Sequence, residues 1–399
     1  MTRRLRLRVT AAVAVVVALL AGAPPSVRAQ ELLTGATAPP PVTAAGAVVY
    51  EPAADALLYD KAARTPRPMA STTKIMTVLL ALEAGTLDDT VTVSPHAAAV
   101  GRIPGASTLD LEAGQTLPMR SLLAGLVLRS GNDGATAVAE HVAGSEEAFV
   151  ARMNARAAEL GLEQTAFVDP TGLSDDPAHH ASPLDLAKLA EEAMRHEAFT
   201  EWAGAASLQV PGLPPMTNRN LLLQRYAGAT GVKTGYTSLA GNTLVASAER
   251  DGRTLYAVVL GSQDSFADTT ALLDYGFGAF QRPSPLAAGQ EATAYRWSDQ
   301  AVGAVAAEEL AATVPAGAEV RWRVRLEPAV ARPLPEGARL GEAELVVDGE
   351  VVDRVELRSA AAVPAPAPPA SPAAAVGAAL QSSLRDLLRA QPLDRAVAG

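Results

Sequence analysis

The sequence predicts an α/β (α+β) fold, an antiparallel sheet sandwiched by helices, followed by a small all-β domain. Three observations carry this expectation. Strand-like runs stand at both ends of the stretch 46–281, at Val48-Val49-Tyr50 with Leu57-Leu58-Tyr59 and again from Val232 to Gly261, and helix-patterned segments lie between them. After Arg282-Pro283 the apolar period becomes two, as in Val320-Arg321-Trp322-Arg323-Val324-Arg325-Leu326. The chain of 399 residues has room for two domains and no cysteine, so each domain must stand on its own core.

The first residues read as a secretory signal peptide, 1–29. Arg3, Arg4, Arg6 and Arg8 precede an apolar run, Val9 to Ala21, too short to span a bilayer comfortably. Val27-Arg28-Ala29 places cleavage before Gln30; the other reading is an uncleaved anchor. Removing those four arginines and Arg28 takes the formal charge from −10 to near −15, which argues against a nucleic-acid partner. Residues 30–45, rich in Pro, Ala and Thr, read as a flexible leader.

The stretch Pro68-Met69-Ala70-Ser71-Thr72-Thr73-Lys74-Ile75-Met76-Thr77 reads as the start of a buried helix with Ser71 in its first turn. Ser71 and Lys74 share one face, which Ile75, Val78, Leu79 and Leu82 continue towards a Gly85 cap. The polar pair therefore sits where a buried helix meets a cleft. A serine hydroxyl is a poor nucleophile near neutral pH and needs a base within hydrogen-bond reach. A lysine amine serves if burial or a nearby cation lowers its pKa. The helix N-terminus suits a developing oxyanion. In a chain with twenty serines and four lysines, one Ser-x-x-Lys alone is a weak signal.

Gly and Pro punctuate residues 86–118, which predicts loops with short strands. Leu122 to Leu128 reads as helical and stops at Arg129-Ser130-Gly131-Asn132, and a new helix runs from Asp133 to His141. Ser130 and Asn132 thus occupy a tight connection between helices. Glu146 to Gly161 is amphipathic, with Phe149, Met153 and Leu160 inward, and Pro183 to Arg195 follows Ser182 as N-cap. Asn218-Arg219-Asn220 and Gly228-Ala229-Thr230-Gly231 come next, the latter as a loop before a strand over Val232-Lys233-Thr234-Gly235-Tyr236-Thr237. Thr243–Ala248 and Thr254–Gly261 flank Asp251-Gly252 as a hairpin, and Phe266–Phe277 reads as a closing helix.

In the β region, 282–360, Glu344–Val347 and Glu350–Leu357 flank Asp348-Gly349 as another hairpin. The Arg321/Arg323/Arg325 face reads either as solvated or as a contact for anionic polymer. A Pro/Ala linker, 361–377, leads to an amphipathic tail, 378–399, where Leu380, Leu384, Leu387 and Leu388 form a stripe beside Arg385 and Arg389. That tail reads either as an interfacial membrane helix or as a frayed end or weak partner helix. His179 and His180 lack metal-ligand spacing, so no metal and no cofactor are expected.

Three motifs line up in order: Ser71-x-x-Lys74, Ser130-Gly131-Asn132 and Lys233-Thr234-Gly235, and two of the four lysines fall in them. Here the chain resembles the low-molecular-weight penicillin-binding proteins, specifically the serine D-alanyl-D-alanine carboxypeptidases. Arg129 to Asp133, Met153-Asn154, Leu160-Gly161, Pro170-Thr171-Gly172-Leu173 and Asn218-Arg219-Asn220 extend the likeness over about residues 45–280. It departs at Thr230, where the family often has an acidic residue, and at Tyr236, where other side chains are common.

The resemblance implies a penicillin-binding/β-lactamase-like fold with 46–281 as the catalytic serine peptidase domain. It also implies a location outside the cytoplasm, in the cell wall or on the outer face of the cytoplasmic membrane. Its substrates would be peptidoglycan stem peptides ending in D-Ala-D-Ala. With the chemistry above, it implies that Ser71 attacks, Lys74 accepts its proton with a pKa lowered by burial and by Lys233, and Ser130 relays a proton to the leaving amine. Asn132 would hold the substrate amide, Lys233 and Thr234 the terminal carboxylate, and Arg219 either that carboxylate or only its own loop. Backbone N–H groups of Ser71 and Tyr236 would bind the oxyanion, and Gly235 would let an extended peptide run alongside. β-Lactams would acylate Ser71 as strained amides that leave a blocked ester. A β-lactamase needs a deacylating glutamate, and Glu146, Glu147, Glu159 and Glu163 lack a Glu-x-x-Leu-Asn setting. Endopeptidase or transpeptidase activity on the same fold, and an inactive wall-binding module, are the remaining alternatives.

Overall fold

The computed structural model describes residues 32–297, 299–367, 377, 379–381 and 393–396. The expected signal peptide, most of the Pro/Ala linker and the tail leucines Leu384, Leu387 and Leu388 lie outside these residues.

Strands β1 (Gly46–Glu51) and β2 (Ala56–Lys61) form the first hairpin. A 3-10 turn, Ala70–Thr73, then runs directly into α1 (Lys74–Glu83). Short strands β3 (Thr90–Thr92) and β4 (Thr116–Pro118) pair on either side of α2 (Pro95–Val100). Helices α3 (Met119–Leu128), α4 (Asn132–Ala143), α5 (Glu146–Glu159), α6 (Pro183–Ala193) and α7 (Glu197–Gly204) follow. The small pair β5 (Ser207–Leu208) and β6 (Met216–Thr217) and the turn α8 (Leu222–Arg225) lead to β7 (Ala229–Thr237), β8 (Gly241–Arg250), β9 (Arg253–Ser262) and α9 (Ser265–Gly278).

The main sheet is antiparallel in the order β2-β1-β9-β8-β7. Period-two alternation sends its side chains to two cores. Val48, Tyr50, Val245, Tyr256, Val258 and Leu260 pack against the large helical layer of α1 and α3 to α7. Val49, Leu244, Ala246, Leu255, Ala257 and Val259 pack on Leu272 and Leu273 of α9. The sandwich of helices around one antiparallel sheet is as the sequence predicts. The hairpin turns follow their chemistry: Asp251 and Gly252 have φ of 52° and 75°, and Asp348 and Gly349 49° and 89°.

Three details differ from the sequence reading. Ser71 lies in the 3-10 turn, not in the first turn of the α-helix. There the hydroxyls of Thr72 and Thr73 donate to the carbonyls of Met69 and Ala70, both at 2.7 Å, and tighten the chain. Residues 229–231 belong to β7, pairing with Ala248 and Ser247 through a register shift, although Gly228 and Gly231 read as a loop. Helices α2 and α7 were not expected, although Ser94 caps α2 by accepting from Ala97 N–H at 2.9 Å and Pro95 starts it.

Beyond α9 the chain is β: β10 (Phe280–Gln281) pairs with β13 (Val314–Pro315). The strands β11 (Glu291–Arg296), β12 (Ala301–Ala306), β14 (Val320–Leu326), β15 (Arg339–Val347), β16 (Glu350–Ser359) and β17 (Leu393–Ala396) form a sheet in the order β11-β12-β16-β15-β14-β17. Tyr295, Trp322, Val324, Leu340, Leu345 and Leu357 are its core. The arginines of β14 pair within this region: Arg323 and Arg325 reach the buried Glu344 at 2.6 and 3.1 Å, where Arg354 of β16 joins them at 3.3 Å, and Arg321 pairs with Glu319.

A buried acid ties this region to the main sheet. Glu51, 0% exposed, accepts from Arg253 Nε at 2.9 Å and from the Thr313 hydroxyl at 2.5 Å, while Arg253 Nη1 donates to the Phe280 carbonyl at 3.0 Å. Removing one partner of a buried ion pair leaves the other charge uncompensated. Glu51→Ala is expected to lower the unfolding free energy by about 3 kcal/mol, read as a fall in the urea midpoint, and Glu51→Gln by less.

Candidate active site

The three motifs meet in one cleft of about 240 Å³, lined by Ser71, Gly105, Ser107, Ser130, Arg219, Thr234, Gly235, Tyr236, Asn242, Thr243, Ser265 and Phe266. A larger open groove of about 630 Å³ elsewhere, beside His96, His141 and Glu146, has no nucleophile paired with a base; its Ser94 and Ser145 are helix caps. The Ser71 turn, the α3–α4 connection and β7 supply the cleft's reactive groups. None of its lining residues is acidic.

Lys74 opens α1 with its side chain 1% exposed. Its Nζ lies 3.0 Å from Ser71 Oγ, 2.7 Å from Asn132 Oδ1 and 2.5 Å from the Thr171 carbonyl oxygen. No carboxylate hydrogen-bonds it among the described residues. Burial lowers its pKa to about 7; Asp169 and Asp133 pull it up and Arg219 pushes it down. Arg219 is one cation that opposes a proton on Lys74, and Lys233, which repels Lys74 and is repelled by it, is the other. Lys233 is itself lowered well below the usual lysine range by burial, Lys74 and Arg219.

Ser130 joins α3 to α4 with φ of 64°, an uncommon conformation for a residue with a Cβ. Its Oγ is buried and has no hydrogen-bond partner among the described residues. Asn132, the first residue of α4, donates its N–H to the Ser107 carbonyl at 2.9 Å. Asp133 accepts from Thr108 Oγ1 at 2.7 Å and from Leu109 and Leu111 N–H, which holds that loop at the cleft.

Lys233 lies opposite Val245 in the β7–β8 ladder, so its side chain enters the helical side of the sheet, where Nζ donates to the Thr234 carbonyl at 2.9 Å. Gly235 faces the serine turn so closely that a Cβ there would stand 2.4 Å from Thr243 Oγ1 and 2.9 Å from Ser71 N. Tyr236 is 67% exposed at the rim. Arg219 donates from Nη1 to Ser107 Oγ at 2.6 Å and lines the cleft, which fits a structural loop contact and an anion contact together. Thr230 meets Ser247, hydroxyl to hydroxyl, at 2.7 Å.

The structure therefore gathers Ser71, Lys74, Ser130, Asn132, Lys233, Thr234, Gly235, Tyr236 and Arg219 around one space. Sequence reasoning missed the Thr171 carbonyl, Ser107 and Thr243. A carbonyl ligand has no side-chain signature; only the Pro170-Thr171-Gly172-Leu173 run pointed there.

The chain is similar to known proteins. Residues 34–264 match the family described as D-alanyl-D-alanine carboxypeptidase, peptidase S11. The chain belongs to that family. It is a serine-type D-alanyl-D-alanine carboxypeptidase. Among its relatives, D-alanyl-D-alanine carboxypeptidase DacF of Bacillus subtilis is 33% identical over 77% of this chain and 83% of its own length. Penicillin binding protein 5 of Haemophilus influenzae superposes with a TM-score of 0.67 at 30% identity, covering 82% of this chain and 99% of that one. The Streptomyces K15 DD-transpeptidase gives a TM-score of 0.58 at 32% identity over 60% of this chain and 99% of its own.

In this carboxypeptidase, Gly235→Ala is expected to leave the melting temperature within a few degrees and to cut acylation of the protein by penicillin by about a hundredfold, because the added methyl drives β7 off the Ser71 N–H.

Proposed function

We propose that the chain removes the terminal D-alanine from peptidoglycan stem peptides through an acyl-enzyme on Ser71. The observation that carries this reading is a buried lysine with no carboxylate hydrogen-bonded to it among the described residues, bonded to a cleft serine. Lowered to about 7, Lys74 is about half amine at neutral pH and largely amine above it. A neutral amine has two N–H donors and one lone pair. The Asn132 Oδ1 and Thr171 carbonyl oxygens are acceptors only, so they take the two N–H groups and leave the lone pair for the Ser71 hydroxyl.

Ser71 Oγ attacks the carbonyl of the penultimate D-alanine while its proton passes to Lys74 Nζ. The oxyanion is held by the N–H groups of Ser71 and Tyr236. Ser130 gives its hydroxyl proton to the departing D-alanine amine and takes the proton held by Lys74 in its place, the C–N bond breaks, and Lys74 is again a neutral amine. Water then attacks the ester, restoring the Ser71 hydroxyl and freeing the shortened peptide. Asn132 orients the substrate amide. Thr234, Lys233 and Arg219 receive the terminal carboxylate, and that carboxylate supplies the counter-charge that keeps a proton on Lys233. β-Lactams would enter by the same attack and remain as esters.

The Streptomyces K15 likeness favours one second reading: an amine in place of water would make the reaction a transpeptidation. Among the described residues no helix is long and apolar enough to cross a membrane. The reading places the protein outside the cytoplasm, at the cell wall or on the outer face of the membrane.

Free D-alanine is measured from an N-acylated peptide ending in D-Ala-D-Ala. Release by the wild type that disappears in Ser71→Ala, with one penicillin adduct by intact mass on the wild type only, supports the reading. No release and no adduct would sink it, and release only with an added amine acceptor would favour transpeptidation. A second expectation concerns pH. Lys74 acts as the base when unprotonated, so kcat/KM should bend near pH 7 and fall about tenfold per unit below it.

A further inference from the structure

Beneath Ser71 and Lys74 lies a second polar network that the acylation reading does not use. Val168 N–H donates to His179 Nδ1 at 3.1 Å, so that nitrogen bears the lone pair and the proton sits on Nε2. Nε2 meets Thr73 Oγ1 at 2.8 Å, and the Thr73 hydroxyl donates to the Ala70 carbonyl at 2.7 Å. Ala70 has φ of 50°, strained for a residue with a Cβ, and immediately precedes Ser71. The same carbonyl is pressed by Gly172, where a Cβ would stand 2.0 Å from it.

The other branch reaches Lys74. Asp169 Oδ1 accepts from Thr171 N, Thr171 Oγ1 and Gly172 N, each at 2.6 Å, and Oδ2 accepts from Ser174 N at 3.0 Å. That turn presents the Thr171 carbonyl to Lys74, and Thr77 Oγ1 pins the preceding Pro170 carbonyl at 2.7 Å. His179 Nδ1 stands 3.7 Å from Asp169 Oδ2 with no proton between them, so the two branches join through Val168, whose N–H His179 accepts and which precedes Asp169, and through Gly172 against the Ala70 carbonyl; the His179 ring, 2% exposed, packs edge-on to Phe167. One network thus fixes both partners of the proton transfer, the serine turn and the carbonyl that orients the amine.

We propose that His179, with Asp169, is a positioning pair that aims the Lys74 lone pair at Ser71 by holding the Ala70–Ser71 turn and the Thr171 carbonyl in one frame. The inference rests on Ser71 as nucleophile and Lys74 as base. The imidazole must stay neutral, because a proton on Nδ1 would face the Val168 N–H. Asp169 and Asp176 favour its charged form, while burial, His180 and Lys74 oppose it, and the balance lies below the usual histidine value.

The test is the pH dependence of Ser71 acylation by benzylpenicillin, followed by intact mass, in wild type, His179→Ala, His179→Gln and Thr73→Val, with melting temperatures alongside. In His179→Ala the Thr171 turn loosens and water reaches the amine. Acylation should fall at least tenfold near neutral pH, and its acid limb should move up from about 7 towards the ordinary lysine range. His179→Gln, which returns an N–H donor near Nε2, should recover most of the rate and the limb. A His179→Ala limb at the wild-type position overturns the inference, whatever happens to the melting temperature. If His179→Ala does not fold, Thr73→Val, which cuts one link, decides in the same way. A wild type that takes no adduct at Ser71 overturns the acylation reading as well; wild-type acylation with an unmoved limb overturns this inference alone.

Discussion

Two lysine side chains are buried in one cleft with no carboxylate hydrogen-bonded to either among the described residues, and the rest of the structure answers to that constraint. Desolvating an ammonium without a counter-ion is expensive, and the molecule resolves the cost by giving up the proton rather than by adding an acid. For Lys74 the displacement from its ordinary value to about 7 corresponds to something on the order of 5 kcal/mol between the two protonation states. A glutamate or aspartate beside it would have removed that displacement and with it the base. Asp169 and Asp133 raise the Lys74 pKa, yet both carboxylates are spent on backbone N–H and hydroxyl donors, Asp169 within its own turn and Asp133 from Thr108, Leu109 and Leu111.

Keeping those acids off the lysine requires tight backbone. Ala70 and Ser130 hold positive φ, Gly172 abuts the Ala70 carbonyl, and Gly235 abuts Ser71 N. Each of these positions would be strained or blocked in isolation. They persist because the helical layer and the antiparallel sheet define their places from opposite sides, α1, α3 and α4 from one and β7 from the other. The sheet does not act in the chemistry; it sets the distance at which a strand carrying Lys233 and Thr234 passes the serine turn.

Much of this could be read from residues. Side-chain chemistry at short spacing was legible: Ser71 with Lys74, Ser130 with Asn132, and Lys233-Thr234-Gly235 all reach the cleft. So were the strands with clear alternation and the two Asp-Gly hairpins. What escaped were contacts made by backbone or set from far along the chain. The Thr171 carbonyl carries no signature of its own residue type. The 3-10 turn at Ser71 depends on threonine hydroxyls and on Gly172, a hundred residues away, whereas a local pattern of apolar residues spoke only for a helix. The part Arg219 takes in lowering Lys74 was not legible, because Arg219 comes from a loop whose course nothing local fixes. The N-terminal half of β7 was read as a loop because glycines weaken a strand on average, while here Gly231 and Ala229 pair in the sheet.

The same electrostatics argue for the kind of ligand the cleft selects. Lys233 sits 2% exposed with the Thr234 carbonyl as its one hydrogen-bond partner among the described residues, so its ammonium form is disfavoured. A neutral ligand arriving beside it gains little. A carboxylate gains an ion pair in a low-dielectric site and makes the charged lysine stable at the moment of binding. The proton Lys233 takes up then stands near Lys74, opposes a second ammonium there, and keeps Lys74 in its basic form. On the proposed mechanism a free C-terminal carboxylate is therefore more than an anchor: by charging one lysine it holds the other neutral, and a peptide lacking that carboxylate meets a cleft whose base is less well prepared.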